Sequence, residues 1–118
     1  MKIIIAKDRY IEDIKKEFNN AFPYLKIDFK PKADSLGKTN RLRPAIGNMK
    51  LGDLMSSSPE GVITIDEGFS IKQIARNFEE HFGLTTLFYR KSGNLWLEIK
   101  MTGDWSIKQQ NESGMEVY

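Results

Sequence analysis

The stretch GVITIDEGFSIKQIARNFEEHFGLTTLFYRK, residues 61–91, lies over residues 1–31, MKIIIAKDRYIEDIKKEFNNAFPYLKIDFKP, when the chain is slid against itself by sixty positions. Ile63 and Ile65 fall on Ile3 and Ile5, and Ile71, Ile74, Phe78 and Phe82 fall on Ile11, Ile14, Phe18 and Phe22. Leu87 and Tyr89 fall on Ile27 and Phe29, and the breakers Gly83 and Pro23 align as well. The central residues of each copy are spaced 3, 4 and 4 apart, which sets them on one stripe of a helix. The isoleucines before them alternate, the period of a strand with one buried face. Each copy therefore reads strand, helix, strand.

Local punctuation agrees. Ser70-Ile71-Lys72-Gln73 is a capping box, with Phe69 and Ile74 placed as a hydrophobic staple. Gly83 stands where a left-handed residue closes a helix. The first helix is expected to start at Asp8 as N-cap and to stop near Phe22, because a residue before proline avoids helical angles.

Two such units predict an α+β domain of ferredoxin-like, split β-α-β type. Its helices lie on one side of a mainly antiparallel sheet, with the two first strands parallel at the centre. Leu95-Trp96-Leu97-Glu98-Ile99-Lys100 alternates cleanly and follows a hairpin turn at Lys91-Ser92-Gly93-Asn94, so it adds a fifth strand at one edge. The reading divides one domain, 1–118, into a first unit 1–31, an irregular connector 32–60, a second unit 61–91, an edge strand 94–101 and a tail 102–118. Trp105-Ser106-Ile107-Lys108-Gln109 echoes Phe69-Ser70-Ile71-Lys72-Gln73, which predicts a short terminal helix reaching about Ser113-Gly114. Inside the connector, Leu51-Gly52-Asp53-Leu54-Met55 has the pattern of one helical turn. Residues 33–60 lack apolar periodicity and are expected to hold the least ordered stretch.

Composition bounds the function classes. A chain of 118 residues with 40% hydrophobic and 29% charged side chains is an ordinary globular domain. It has no cysteine, which removes disulfide scaffolds, thiolate metal sites and cysteine nucleophiles, and fits a cytoplasmic location. The opening Met1-Lys2-Ile3-Ile4-Ile5-Ala6-Lys7 is too short in apolar run for a secretion signal, and no membrane span is legible anywhere. The net charge of +2 is too small to name nucleic acid as partner. From Lys30 to Lys50, however, six cations face Asp34 alone, a local excess of +5.

Phe22-Pro23-Tyr24-Leu25-Lys26, Arg90-Lys91-Ser92-Gly93-Asn94-Leu95-Trp96-Leu97-Glu98 and Asp104-Trp105 form a pattern that resembles a group of small uncharacterised bacterial proteins over most of the chain. That resemblance implies no activity, cofactor or site residue.

Catalytic and cofactor motifs are missing. Gly37-Lys38-Thr39 looks like the end of a phosphate-binding loop, but Lys32 stands where its first glycine belongs and Pro44 spoils the helix that should follow. His81 is the only histidine, at the border of the second helix's stripe, and no ligand-type residues sit at matching spacing. No Gly-x-Ser-x-Gly elbow occurs. The expectation is a non-enzymatic binding module without cofactor, metal or membrane, acting on a protein partner or on itself as a homodimer. Nucleic acid is the alternative partner.

Two surfaces are candidates. The connector cations Lys38, Arg41 and Arg43 suit an arm that meets phosphate or an acidic surface, or else a solvated loop. In the hairpin, if Leu87, Tyr89, Leu95, Leu97 and Ile99 face the helices, then Phe88, Arg90, Trp96, Glu98 and Lys100 share the opposite face. That face is an aromatic and cationic platform for a base or for another protein. The rival reading puts Trp96 under the Trp105 tail.

Overall fold

The computed structural model of the chain describes residues 1–30, 49–55 and 58–116. Within them run β1 (Lys2–Ile5), α1 (Ile11–Ala21), β2 (Leu25–Lys30), a single 3-10 turn at Leu51–Asp53, β3 (Gly61–Thr64), α2 (Ile71–Phe82), β4 (Thr85–Ser92), β5 (Leu95–Glu98) and α3 (Ile107–Glu116). The architecture is mixed α+β. No helix among the described residues is long and apolar enough to cross a membrane.

The predicted stripes face the core. Ile11, Ile14 and Phe18 of α1, and Ile71, Ile74, Phe78 and Phe82 of α2, are all buried. Ile3, Ile5, Ile63 and Ile65 join them in one cluster with Leu25, Ile27, Phe29 and Phe88. Two aromatic contacts tie helix to strand: Phe18 with Phe88 and Phe78 with Phe29, each at 5.7 Å between ring centroids.

The sheet differs from the ferredoxin-like expectation. Hydrogen bonds build two antiparallel sheets, β1–β3 and β2–β4–β5, in place of one. β1 and β3 run antiparallel, Ile3 opposite Ile63, where a parallel pair was expected. Periodicity reports which face of a strand is buried but not which strand lies beside it, so it left strand direction free. β5 does extend an edge, as its hairpin turn predicts.

Helix ends follow local chemistry, with one exception. Ser70 Oγ accepts the Gln73 amide at 3.1 Å, and Gly83 closes α2 at φ 62°, a left-handed angle that favours glycine. Asp8 is not the cap of α1. That helix starts after Tyr10, with no side-chain cap, and the Ile11 amide donates instead to the Met49 carbonyl at 2.9 Å. A tertiary partner therefore serves one of the first-turn amides that have no acceptor within the helix.

That partner belongs to a docked segment. Leu51, Leu54 and Met55 are buried, so this part of the 33–60 connector is held by the core, while residues 31–48, 56 and 57 lie outside the described residues. The Leu51 amide donates to the Arg9 carbonyl and the Gly52 amide to the Lys7 carbonyl, both at 2.9 Å. At the start of α3 the Ile107 amide donates to the Phe69 carbonyl at 2.7 Å, and the Lys108 amide to the Glu67 carbonyl at 3.1 Å. The terminal helix is present as expected, and Ser106 Oγ accepts the Gln109 amide at 3.1 Å.

Candidate interaction face and an open strand edge

The register of β4 decides what the sheet presents outward. Ile27 lies opposite Phe88 and Leu25 opposite Arg90, so Phe88 and Arg90 share the inner face with the buried side chains of β2. Leu87, Tyr89 and Lys91 therefore point outward, together with Lys26, Asp28 and Lys30 from β2 and Trp96 and Glu98 from β5. The expected face is corrected at its centre: Phe88 is 3% exposed and packs on Phe18, while Leu87 and Tyr89 are turned away from the helices.

The cause is one residue. Two residues, Pro23 and Tyr24, stand between the C-cap Phe22 and Leu25, whereas only the C-cap Gly83 separates the end of α2 from Leu84. The inward-facing alternation runs Leu25, Ile27, Phe29 in the first half and Leu84, the half-buried Thr86, Phe88 in the second, an offset of 59 where the helices keep 60. A slip of one in a strand exchanges its two faces. Thr86, in the place of Ile27, carries a buried hydroxyl with no hydrogen-bond partner among the described residues.

Arg90 is occupied elsewhere. Its Nη1 donates to Gln110 Oε1 at 2.8 Å, and its guanidinium lies 5.5 Å from the Trp105 ring. Gln110 is fully buried, and its Nε2 donates to the Thr102 carbonyl at 2.6 Å and to the Thr102 hydroxyl at 3.0 Å. This network locks α3 onto the inner face of β4. Trp105 thus covers Arg90, and Trp96 lies on the other side of the sheet.

Trp96 is half-buried by its own neighbours. Lys26 Nζ lies 4.3 Å from its ring centroid and Lys91 Nζ 6.0 Å, a cation–π arrangement on an open sheet face. Tyr89 stands beside it between two carboxylates. Burial raises the Tyr89 phenol above its ordinary pKa, and the nearby charges of Asp28 and Glu98 raise it further. Lys100 is exposed just beyond β5, and Lys38, Arg41 and Arg43 lie outside the described residues. Lys26, Lys91 and Tyr89 escaped the sequence reading because they join Trp96 only through the β2–β4–β5 register.

The two edges of this sheet are treated differently. In β2 the outward backbone groups belong to Leu25, Ile27 and Phe29, since the Lys91 amide bonds the Tyr24 carbonyl and the pattern alternates from there. Asn19 of α1 donates to the Leu25 carbonyl at 2.8 Å, and the Asp28 carboxylate takes the Phe29 amide at 2.9 Å. Lys15 pairs with that carboxylate at 3.5 Å. In β5 the Ile99 amide bonds the Phe88 carbonyl, so Leu95, Leu97 and Ile99 serve β4 while Trp96 and Glu98 turn their amides and carbonyls to the free edge. Among the described residues nothing takes them. Leu95 and Leu97 are 65% and 52% exposed.

A second feature is a groove of about 460 Å³ between β3 and α2, walled by Val62, Thr64, Phe69, Asn77 and His81. His81 is exposed, with Nδ1 3.1 Å from the Asn77 carbonyl. Sixty residues earlier the corresponding place is closed: Arg9 donates to the Ile4 carbonyl at 2.9 Å and pairs with Glu17. The polar side chains of its lining are Glu60, Thr64, Asn77 and His81, and the Glu60 carboxylate takes the Lys7 amide at 2.6 Å. Among the described residues no group of three His, Cys, Asp or Glu side chains is placed to hold a metal.

No protein-family model, no curated protein and no solved structure matches this chain.

Proposed function

We propose that the chain is a non-enzymatic interaction module of the cytoplasm that meets a protein partner at β5. The strand edge supplies backbone hydrogen bonds, and Trp96 with its flanking Lys26 and Lys91 supplies the contact face. One observation carries the reading: side chains of Asn19 and Asp28 take the Leu25 carbonyl and the Phe29 amide at the edge of β2, while among the described residues no group takes the outward amides and carbonyls of Trp96 and Glu98 at the edge of β5. Such an edge is a template for an added strand, with main-chain bonds giving affinity and alternate side chains giving selectivity.

Nucleic acid is the second reading, supported by Lys26 and Lys91 over the Trp96 ring, with Lys30 farther along the same face. Phe88 and Arg90 lie on the other face, and Lys26 already covers the Trp96 ring, so base stacking there requires moving a lysine. The repeat belongs with this proposal as well: two copies of one unit related by an approximate two-fold axis. Its support is the paired bonds Leu51–Arg9 with Ile107–Phe69 and Gly52–Lys7 with Lys108–Glu67, and the pairing of Ile3 with Ile63.

The chain has two tryptophans, so Trp105→Phe leaves Trp96 as the sole indole reporter. Titration with protein partner, or of the chain against itself, is expected to change Trp96 emission at physiological salt. A response only to single-stranded oligonucleotide, vanishing steeply as salt rises, would favour the second reading over the first.

A further inference from the structure

The geometry points to a second copy of this chain as the occupant of the β5 edge, in a two-fold antiparallel pair centred on Leu97. This deepens the interaction reading above and rests on it.

A two-fold pairing of β5 with itself has few possible registers. Residues directly opposite must lie on the same face, and those that exchange hydrogen bonds must be Trp96 and Glu98, whose backbone groups point to the free edge. Setting Trp96 of one copy opposite Glu98 of the other uses every outward amide and carbonyl of the strand, four hydrogen bonds across the dyad. Centring the pair on Trp96 or on Glu98 leaves some of those groups unpaired. The chosen register has consequences on both faces.

On the inner face, Leu97 meets Leu97 of the second copy and Leu95 meets its Ile99, which covers the two exposed leucines of the strand. On the outer face, the row across the joined sheets reads Lys91, Trp96, then Glu98, Tyr89 and Lys26 of the second copy. Each Trp96 gains a carboxylate on the side away from its own Lys91, so charges alternate along the row and no like charges stand adjacent. An isologous contact of this kind closes on itself and leaves no new edge at the joint. Its area is that of one short strand, so the dimer belongs to the weak class, forming at roughly micromolar concentrations or above.

The test is sedimentation of the full chain over a concentration series, with Glu98→Pro and Leu97→Cys. Proline is tolerated where a strand's amide faces outward, so Glu98→Pro keeps the β4–β5 ladder and removes two of the four bonds across the dyad. A monomer–dimer transition that Glu98→Pro weakens by roughly tenfold to hundredfold supports the proposal. Leu97→Cys reads the register independently, since the chain has no other cysteine. At the dyad the two residues form a non-hydrogen-bonded pair, about 4.5 Å apart between Cα atoms, within disulfide range. Mild oxidation is expected to link Leu97→Cys into a covalent dimer faster than Leu95→Cys.

Three results overturn the proposal. The first is a monomer at millimolar concentration. The second is a dimer indifferent to Glu98→Pro, with Leu97→Cys linking no faster than Leu95→Cys. In the third, a peptide of residues 92–100 carrying Trp96→Phe shifts the Trp96 emission of the Trp105→Phe chain while that chain stays monomeric; the edge then accepts strands, the interaction reading stands, and the partner is another protein. If neither the peptide nor a second copy binds, both readings fall.

Discussion

The parity of β4 can be tested by truncating two neighbours, Phe88→Ala and Leu87→Ala. Phe88 is buried against Phe18 within the core, whereas Leu87 lies on the outward face and is only half-buried. Removing a buried phenylalanine ring costs about 3–5 kcal/mol, the transfer of its atoms plus the cavity left behind. Leu87→Ala removes partly solvated methyl groups and is expected to cost about 1 kcal/mol. A domain of 118 residues has an unfolding entropy near 0.25 kcal/mol/K, so Phe88→Ala lowers Tm by roughly 12–20 °C and Leu87→Ala by about 4 °C. Urea denaturation followed by far-UV circular dichroism measures both, with the m-value required to stay unchanged. Phe18→Ala, the other half of the ring contact, is expected to match Phe88→Ala, and the double variant to lose less than the sum. Equal losses at positions 87 and 88, or a larger loss at 87, would return Leu87 to the core. The outward face built around Trp96 would then be wrong.

Thr86→Val removes a buried hydroxyl that has no partner among the described residues and is expected to stabilise the chain by about 1–2 kcal/mol in the same denaturation assay. Gln110→Ala strips the inner partner from Arg90 and from Thr102. It should cost about 2–3 kcal/mol and speed hydrogen exchange along α3 before α2. Tyr89 titrates above an ordinary phenol through burial first, then Asp28, then Glu98. The folded state therefore holds its proton more tightly than the unfolded state. The stability linked to it is intact below about pH 10 and lost as pH rises through the folded value. Tyr89→Phe is expected to reduce that alkaline loss, and Glu98→Gln to bring the phenolate absorbance step to lower pH.

The sequence alone determined the helices. Ile11, Ile14 and Phe18, and their counterparts at 71, 74 and 78, repeat at a period that only a helix can bury on one side. Ser70, Gly83 and Ser106 act through bonds to residues within a few positions, so their roles were legible as well. The fifth strand was legible from its turn and its alternation. Strand neighbours were not, because alternation marks a face and says nothing of the adjacent chain; only the hydrogen bonds of Ile3 with Ile63 set that pair antiparallel. The face of β4 was ambiguous for a related reason. Thr-Thr-Leu-Phe-Tyr-Arg has apolar residues on both sides, and its phase depends on how many residues the chain spends leaving α2. Gly83 makes that exit one residue shorter than Pro23-Tyr24 does, and a single residue exchanges Phe88 for Leu87. The candidate face is tertiary in the same sense: Lys26 of β2 and Lys91 of β4 reach Trp96 of β5 only through the sheet register. The free edge of β5 is set by the β2–β4–β5 strand order, and it differs from the edge of β2, where Asn19 and Asp28 take the Leu25 carbonyl and the Phe29 amide.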